Sequence, residues 1–577
     1  MADNEKEFDW IQETVEDFRP FHNRQDVDAD MYNQIAYQLK DLDTNTVSKN
    51  VVNITMNDAR VFADRAQAFM NEASMQVEVT GNDLSEKDAA LIENFDSDLR
   101  YEIDERLNMR DISGLYPFAI EQGCIRGLIG GRYVTWDRDE QYVPDMLLFD
   151  SRFLLYEYGE KDLERAAGGT VRSKASILLK YPKADLGAAK RGGIWEEWTK
   201  KKCKIWLCNP DAMHEGGQLL TEYENIFGYV PFIIQGVGAG SMLQDKNSRV
   251  HKFESIFANN RLLYEHVNML GSILQTLNYM SFNRVHLWES EQGALAKKPP
   301  KPGTRKTIAI DKGTRGLFPM EVADVTNATR LFQALLLGAV QRGSLPNIDY
   351  GNLTFPLSAV AISKLTQTKD AIFSPRLQAI SLFLRKWHKM ARDQYVAGSY
   401  EAELGEEGLK RTYTASDIDK KYKISYKFHS VSPEQNIANY AIAQQALAVG
   451  VAPITVYSEI LKFQDPAGEI MKGRAHKAEQ IDPVIALFRY GHSLIDEKSE
   501  EGFLEADLVA MKIEKLLRQP ELPPEPQKQA KQGKSLVPLL EGGGGGSIGG
   551  ENDEMEPEER LRHEDRRAEV VRKSEAE

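Results

Sequence analysis

The sequence predicts an α+β protein of several units, in which strand-forming and helix-forming stretches occupy separate parts of the chain. Its 577 residues exceed what one core usually holds, since domains commonly have about 100–200 residues. From Arg132 to about Gly240 the apolar runs are short and rich in Val, Ile, Tyr and Trp, which is typical of strands. From Phe253 onward apolar residues recur at steps of three, four or seven, which is typical of long helices.

The N-terminal part is acidic. The first 45 residues carry twelve Asp/Glu and four Lys/Arg, and we expect a helix, a linker and a second helix there. Thr55 or Asn57 is positioned to cap the helix that follows. "SMQVEVTG" alternates and predicts a strand, and Ser85 with Asp88 forms a weak capping box at the start of a long charged helix.

The region before Gly240 is predicted to form a mostly antiparallel sheet. Its strand candidates are "RYVTWD", "MLLFDSRFLLYEYG", "IWEEWTKKKCKIWLC" and "YVPFIIQGV", with a helix at "SKASILLKY". The helix predicted from Phe253 to Met280 has a polar, uncharged second face formed by Asn259, Asn260, Asn268 and Asn278.

A small basic insert interrupts the helical part. It contains the strand candidates "RVHLW" and "KTIAI", and between Arg284 and Gly316 eight Lys/Arg against three Asp/Glu give a local charge of 8 − 3 = +5. A helix is predicted to return at Thr326. It is followed by "PNIDYGNLTFPLSAVAISKL", where Gly, Asn and Pro break regular structure while Leu353 and Phe355 remain apolar.

The C-terminal part is predicted to be helical and then disordered. A long helix runs to Tyr395, with Pro375 expected to kink or restart it, and "RTYTASDIDKKYKISYKFHSV" adds strands. Three helices should begin at Pro433, Pro466 and Pro483, each preceded by a capping residue, and a last helix covers roughly Phe503–Leu517. Residues 519–577 contain too few apolar side chains for burial to offset the entropy lost on ordering, so we expect disorder.

Several kinds of chemistry find no support in the sequence. No GxxxxGK[ST] occurs, and "GVGAG" at Gly236–Gly240 has the wrong spacing for a dinucleotide loop. "MHEGG" at His214 lacks the second histidine of a zinc motif, and we expect no metal and no cofactor. The net charge of -15 argues against coating nucleic acid through bulk positive charge.

The compartment is predicted from the cysteines and the hydropathy. Three cysteines without CxxC argue against disulfides, and Cys203 and Cys208 are expected to be buried structural thiols in a reducing cytoplasm. The N-terminus has no signal-peptide pattern, and the longest apolar run, Leu331–Val340, is shorter than the ~20 residues that span a bilayer. We therefore expect a soluble intracellular product without a membrane partner.

The order of these elements resembles that of the portal proteins of tailed bacteriophages, the rings at one vertex of the capsid. The resemblance covers roughly Asp30 to Glu497. It depends on the order of elements and on "LFDSRFLLYEYG", "GYVPFIIQG", "YGNLTFPLSAVAISKL" and "ALAVGVAPITVYSEILKFQDPAGEIMKGRAHKAEQIDPVIALF".

The resemblance implies a portal-like, multi-domain subunit. Its parts would be an acidic N-terminal segment (1–45), an α/β wing (46–250), a stem helix (251–280), a clip (281–324), a second stem helix (325–345), a tunnel loop (346–357), a long kinked helix with returning wing strands (358–431), a helical crown (432–518) and the disordered tail (519–577).

Two sites follow from the resemblance. The tunnel loop would face DNA in the channel through Asn352, Leu353, Thr354 and Phe355. The clip would dock terminase and adaptors through its basic residues, which are Lys297, Lys298, Lys301, Arg305, Lys306, Lys312 and Arg315. For the loop the alternative is an ordinary turn that packs into a neighbour, and for the clip it is a solvated basic turn.

The resemblance also implies a function without catalysis. The chain would form a homo-oligomer, a dodecamer in the family, in the virion at the portal vertex after assembly in the host cytoplasm. Double-stranded DNA would pass through it non-specifically, and its partners would be the large terminase, head–tail adaptors, and the major capsid and scaffold proteins. The alternatives are an intracellular nucleotide-binding α/β enzyme that uses "GVGAG", or another viral head–tail connector ring protein.

Overall fold

The structure is a computed structural model that divides into two units, Met1–His476 and Lys477–Glu577. The residues that it describes are 2–41, 43–49, 51–138, 141–238, 250–282, 286–290, 307–311, 317–319, 327–345, 359–429, 433–461, 463, 466–481, 483–496 and 500–517. The fold mixes helix and sheet, as the sequence predicts. None of the described helices is both long enough and apolar enough to cross a bilayer.

Helices dominate the chain outside the sheet region. The described helices are α1 (Ala2–Tyr32), α2 (Asp58–Asn71), α3 (Glu86–Asn108), α4 (Leu115–Glu121), α5 (Lys174–Lys180), α6 (Arg261–Phe282), α7 (Asn327–Arg342), α8 (Ala359–Ala397), α9 (Ala415–Ile418), α10 (Pro433–Val449), α11 (Pro453–Thr455), α12 (Pro466–Ile481), α13 (Pro483–Asp496) and α14 (Glu500–Leu517). Short π-helical turns follow α4 at Gln122–Arg126 and α11 at Val456–Ile460.

The strands are short and pair almost entirely in antiparallel fashion. They are β1 (Ser74–Thr80), β2 (Leu128–Arg138), β3 (Gln141–Phe149), β4 (Leu154–Tyr158), β5 (Leu163–Ser173), β6 (Arg191–Thr199), β7 (Lys202–Cys208), β8 (Gln218–Glu224), β9 (Phe232–Gly236), β10 (His286–Ser290), β11 (Thr307–Asp311), β12 (Leu317–Pro319), β13 (Glu401–Leu404), β14 (Arg411–Thr414) and β15 (Lys423–His429). Among the described strands only β10 and β11 pair in parallel.

The predicted antiparallel region contains two sheets. One has five strands in the order β4–β5–β6–β7–β8, and the other has three in the order β3–β2–β9. Three tryptophans, Trp195, Trp198 and Trp206, are buried on the larger sheet. A separate pairing joins β15 to β1, from Ser74 with His429 to Thr80 with Lys423, so a late strand returns to the N-terminal part of the chain.

The acidic N-terminus is one helix, which corrects the prediction of two helices and a linker. α1 runs through Pro20 to Tyr32, and residues 33–41 are not helical. Gln34 has a φ of 53°, a left-handed conformation that ends helices. The helix is stabilised by an apolar face that packs on the five-stranded sheet, where the rings of Phe8 and Trp206 are 5.3 Å apart.

The helix expected from Phe253 begins at Arg261 instead. Phe253 has a φ of 60°, and a Cβ on Gly236 would lie within 1.9 Å of its ring. Ile256 and Phe257 are buried although they precede the helix. The apolar spacing therefore indicated the burial of Ile256 and Phe257 correctly, but residues 253–260 form an irregular turn that packs against β9 and not the first turns of a helix.

The long helix α8 continues through Pro375, so the predicted alternative that the helix restarts there is wrong. Three predicted helix starts are confirmed, since α10, α12 and α13 begin at Pro433, Pro466 and Pro483. A proline at this position sacrifices no intrahelical hydrogen bond. The last helix, α14, begins at Glu500, three residues before the predicted start.

Two predicted caps have different outcomes. Ser85 Oγ accepts the amide hydrogen of Asp88, which confirms the N-terminal cap of α3. Asn57 occupies the N-cap position of α2 without a capping hydrogen bond from its side chain. Thr55 Oγ1 accepts the amide of Tyr37 instead, because this stretch is extended and lies beside residues 35–41.

Candidate functional site

Both predicted site groups lie outside the described residues. They are Asn352, Leu353, Thr354 and Phe355 of the predicted tunnel loop, and Lys297, Lys298, Lys301, Arg305, Lys306, Lys312 and Arg315 of the predicted clip. The predicted tail, 519–577, lies outside them as well. The described elements that flank the two sites are the helices α6, α7 and α8, with the strands β10, β11 and β12 between α6 and α7.

The helices α6 and α7 pack against each other at the start of one and the end of the other. Asn260, just before α6, donates from Nδ2 to the carbonyl oxygen of Val340 at 2.8 Å. A Cβ on Gly343 would lie 2.0 Å from Asn260 Oδ1, so a glycine is required where α7 ends. Tyr264, Val267 and Leu270 of α6 and Leu336 of α7 are buried in the same core.

A row of polar side chains on α6 binds an extended segment of the same chain. The amides of Val52, Ile54 and Met56 donate to Thr276 Oγ1, Ser272 Oγ and Asn268 Oδ1 at 3.0, 2.9 and 2.8 Å. Four helical residues rise about 6 Å and two extended residues about 6.6 Å, so the two repeats nearly match. The uncharged polar face expected on this helix is thus partly used to satisfy backbone amides.

Apolar side chains remain exposed on both helices. Leu262 at the start of α6 is 74% exposed, and Leu331 and Leu335 of α7 are 66% and 68% exposed. Further exposed apolar residues on the two helices are Ile273, Tyr279, Met280, Phe332 and Leu337. Single exposed leucines are common on protein surfaces, whereas these two helices together expose eight large apolar side chains.

A buried ion-pair network anchors α6 to α1. Asp28 is fully buried and accepts from Arg261 Nε at 2.6 Å and from Nη2 at 2.9 Å. Arg261 also donates to Glu254 at 2.7 Å, and Arg24 donates to the carbonyl oxygens of Val250 and Phe253. Burial raises the pKa of Asp28, although Arg261 opposes that shift. The start of α6 is therefore held by charged contacts with α1 and with the turn that precedes α6.

A cleft of about 850 Å³ lies between the five-stranded sheet and the three-stranded sheet β3–β2–β9. At its floor Arg132 contacts Asp145 at 2.8 Å and Glu196 at 3.0 Å, and Arg110 contacts Asp145 at 2.6 Å. Burial alone would raise the pKa of Asp145, but the charge of Arg132 and the hydrogen bond from Arg110 lower it to about 2. Asp145 and Glu196 therefore both form ion pairs with arginines, and the pair between Arg132 and Glu196 connects the two sheets.

The cysteines and the "GVGAG" glycines, which were considered for chemistry in the sequence, are explained by packing and backbone conformation. Cys124, Cys203 and Cys208 are buried, as predicted for the last two, and burial raises the pKa of the Cys208 thiol to about 12. Gly236 of the "GVGAG" stretch is required by its contact with Phe253, and Gly238 has a φ of 82°. Within the described ranges no cluster of His, Cys, Asp and Glu could hold a metal ion.

Sequence reasoning did not find the buried contacts of Asp28 or Arg132. Asp28 and Arg261 are separated by 233 residues, and no local pattern links them. The predicted polar face did include two residues with such contacts, since Asn260 donates to Val340 and Asn268 accepts from Met56.

Comparison with known proteins adds no family assignment. No protein-family model matches the sequence, and no curated protein matches it significantly.

Proposed function

We propose that this chain is the subunit of a bacteriophage portal ring, a conduit through which double-stranded DNA is packaged and released. The observation that carries the proposal is the helix pair α6–α7. The two helices bracket a small sheet, β11–β10–β12, and together expose apolar side chains such as Leu262, Leu331 and Leu335. A helix pair that leaves this much apolar surface uncovered in one copy is suited to side-by-side packing of copies.

The surrounding elements support the same proposal. A wing-like antiparallel region precedes α6, and the long helix α8 follows α7. The strand β15 then returns to pair with β1, far back in the chain. This order corresponds to the wing, stem, clip and stem order that the resemblance implies. Terminase, head–tail adaptors, and capsid and scaffold proteins would be the partners of the ring.

The net charge supports a conduit rather than a clamp. Each copy has a formal charge of -15, and affinity for DNA comes mainly from cations that neutralise phosphates. A ring of such copies would repel a duplex over most of its surface, which permits sliding. Docking of terminase would use the basic insert between α6 and α7, whose predicted local charge has the opposite sign.

Native mass spectrometry of the purified assembly tests the proposal. We expect a closed ring with a mass near twelve times the 65.2 kDa of one chain. A chain that stays monomeric or dimeric at all concentrations and salt conditions would overturn it. Nucleotide binding that is lost in Gly238→Trp would then favour the enzyme alternative.

A further inference from the structure

A basic groove lies on the side of α8 that faces the start of β15. We define it by Arg385, Lys386, Lys389 and Arg392 of α8 and Lys423 of β15, which surround a space of about 420 Å³. His388, Tyr422 and Ile424 complete the lining, and no Asp or Glu is part of it. Such a concentration of positive charge is unusual in a chain whose formal charge is -15.

The cations follow one face of the helix. Arg385, Lys389 and Arg392 are spaced at i, i+4 and i+7, which places them on the same side over about 10 Å. Lys423 adds a fourth charge from the neighbouring strand. An array of this length fits a ligand that carries several negative charges in a row.

Most of these charges have no acidic partner within the described part of the chain. Arg385, Lys389 and Lys423 are exposed and form no ion pair with any described residue. Arg392 contacts the neighbouring Asp393 at 2.6 Å. Lys386 donates to the carbonyl oxygen of Ile234 at 2.9 Å, and burial together with the charge of Arg385 lowers its pKa. The cations repel one another, and an anion would relieve that repulsion.

The base of the groove is rigid. His388 is 1% exposed, its Nδ1 lies 2.8 Å from Asp96 Oδ1, and its Nε2 lies 2.8 Å from the Tyr422 hydroxyl. Arg392 in turn lies over the Tyr422 ring at 5.5 Å. The helix that carries the cations is therefore fixed before any ligand binds, which lowers the entropic cost of binding.

We propose that the basic groove binds the phosphodiester backbone of a nucleic acid. A phosphate strand presents regularly spaced charges and requires nothing but cationic donors, which is what this groove supplies. An acidic peptide would also need apolar contacts or partners for its backbone, and Ile424, the one aliphatic residue of the lining, is 5% exposed. The inference does not depend on the proposed function, because the groove is defined by side chains of α8 and β15 within one copy of the chain.

The test measures binding of a fluorescein-labelled oligonucleotide to the full chain by fluorescence anisotropy, from about 50 to about 200 mM salt. The variant Arg385→Gln/Lys389→Gln/Lys423→Gln should bind at least about tenfold more weakly, and the slope of log K against log salt should fall by about two to three. Arg385→Lys/Lys389→Arg keeps the charge and should keep the binding.

A charge-matched control separates the groove from general electrostatics. Lys161→Gln/Lys183→Gln/Lys201→Gln removes three positive charges from exposed lysines outside the groove. It should leave the affinity within about twofold of the wild type, since the lost charges do not line the site. An equal loss in the control and the groove variant would overturn the proposal, as would unchanged binding in the groove variant.

Two further outcomes are informative. If Lys297→Gln/Lys298→Gln/Lys301→Gln abolishes binding while the groove variant keeps it, the nucleic acid binds the predicted clip and the proposal is wrong. If polyglutamate of equal charge displaces the oligonucleotide as well as unlabelled nucleic acid does, the ligand is an acidic protein segment, and the phosphodiester assignment fails.

Discussion

Asp96 and His388 lie 2.8 Å apart, Oδ1 to Nδ1, in the core of the first unit, although 292 residues separate them in the chain. The Tyr426 hydroxyl donates to the same carboxylate oxygen. Burial alone would raise the pKa of Asp96, but the hydrogen bond and charge of His388 outweigh burial and lower it. These hydrogen bonds connect α3, α8 and β15, so they help to hold the two helices against the returning strand.

Replacement of Asp96 by Asn should strongly destabilise the protein. The amide keeps the shape of the side chain but removes the buried negative charge that His388 and Tyr426 contact, and a hydrogen bond to a charged group contributes about 1.5–3 kcal/mol. Urea unfolding followed by circular dichroism measures the change. Glu105→Gln, at an exposed position of the same helix, is the control and should change the free energy of unfolding by less than about 0.5 kcal/mol.

Asp28 and Arg261 should show a large coupling energy. Their two hydrogen bonds, at 2.6 and 2.9 Å, connect α1 to the start of α6 in a buried setting. A double-mutant cycle with Asp28→Asn and Arg261→Gln should give a coupling of about 1–3 kcal/mol in urea unfolding. A value near zero would mean that the remaining partners, Arg24 and Glu254, replace the contact.

His22 should make the protein less stable as the pH falls below neutral. Burial and the neighbouring charges of Arg152 and Arg126 lower its pKa from 6.5 to about 3. Between these values the unfolded chain binds a proton that the folded chain does not. The free energy of unfolding should therefore fall by up to about 1.4 kcal/mol per pH unit.

The variant His22→Gln isolates that contribution. Gln does not titrate, so the difference in stability between the variant and the wild type should change as the pH is lowered from about 7 to about 5. All other titrating groups are common to both proteins and cancel in the comparison. A difference that is independent of pH would show that the pKa of His22 is the same in the folded and the unfolded chain.

Local signals in the sequence predicted local structure well. The three proline-led helix starts and the cap at Ser85 depend on a few adjacent residues, and the structure confirms them. The turn around Phe253 shows the limit of such signals, because apolar spacing indicates burial but does not say that the buried residues are helical. Phe253 has a left-handed backbone conformation and contacts Gly236, so the apolar pattern begins in a turn and becomes helical only at Arg261.

Contacts between distant residues could not be predicted. The partners Asp96 and His388, or Asp28 and Arg261, are ordinary charged residues in their own segments, and only the fold brings them together. The basic groove is a similar case, since Lys423 of β15 lies beside the α8 cations only in the folded chain. One sequence reveals periodicity along a helix, but it does not reveal which strand lies beside that helix.

Gly127→Ala should cost more than Gly228→Ala, although both glycines have a positive φ. At Gly127, with φ of 75°, a Cβ would lie 1.9 Å from the carbonyl oxygen of Phe253. At Gly228, with φ of 71°, nothing lies within 4 Å of the added atom. We expect about 1–2 kcal/mol for Gly228→Ala and clearly more for Gly127→Ala in urea unfolding, because only the latter displaces backbone.

Leu331→Glu/Leu335→Glu should prevent assembly without unfolding the subunit. Both leucines lie one helical turn apart on α7 and are 66% and 68% exposed in the single chain, so the substitutions leave its core intact. If neighbouring copies cover them, each loses about 1.5–3 kcal/mol of apolar burial and forces a carboxylate into the interface. Native mass spectrometry should then show monomers or small oligomers, with an unchanged circular dichroism spectrum.

The matched control for this prediction is Leu409→Glu. Leu409 is 69% exposed, like the two α7 leucines, but it lies in the turn between β13 and β14. The control should assemble as the wild type does, because the proposed ring uses the α6–α7 surface and not this turn. A ring that survives Leu331→Glu/Leu335→Glu would show that the exposed leucines of α7 face solvent in the assembly. The helix pair would then no longer support the portal proposal.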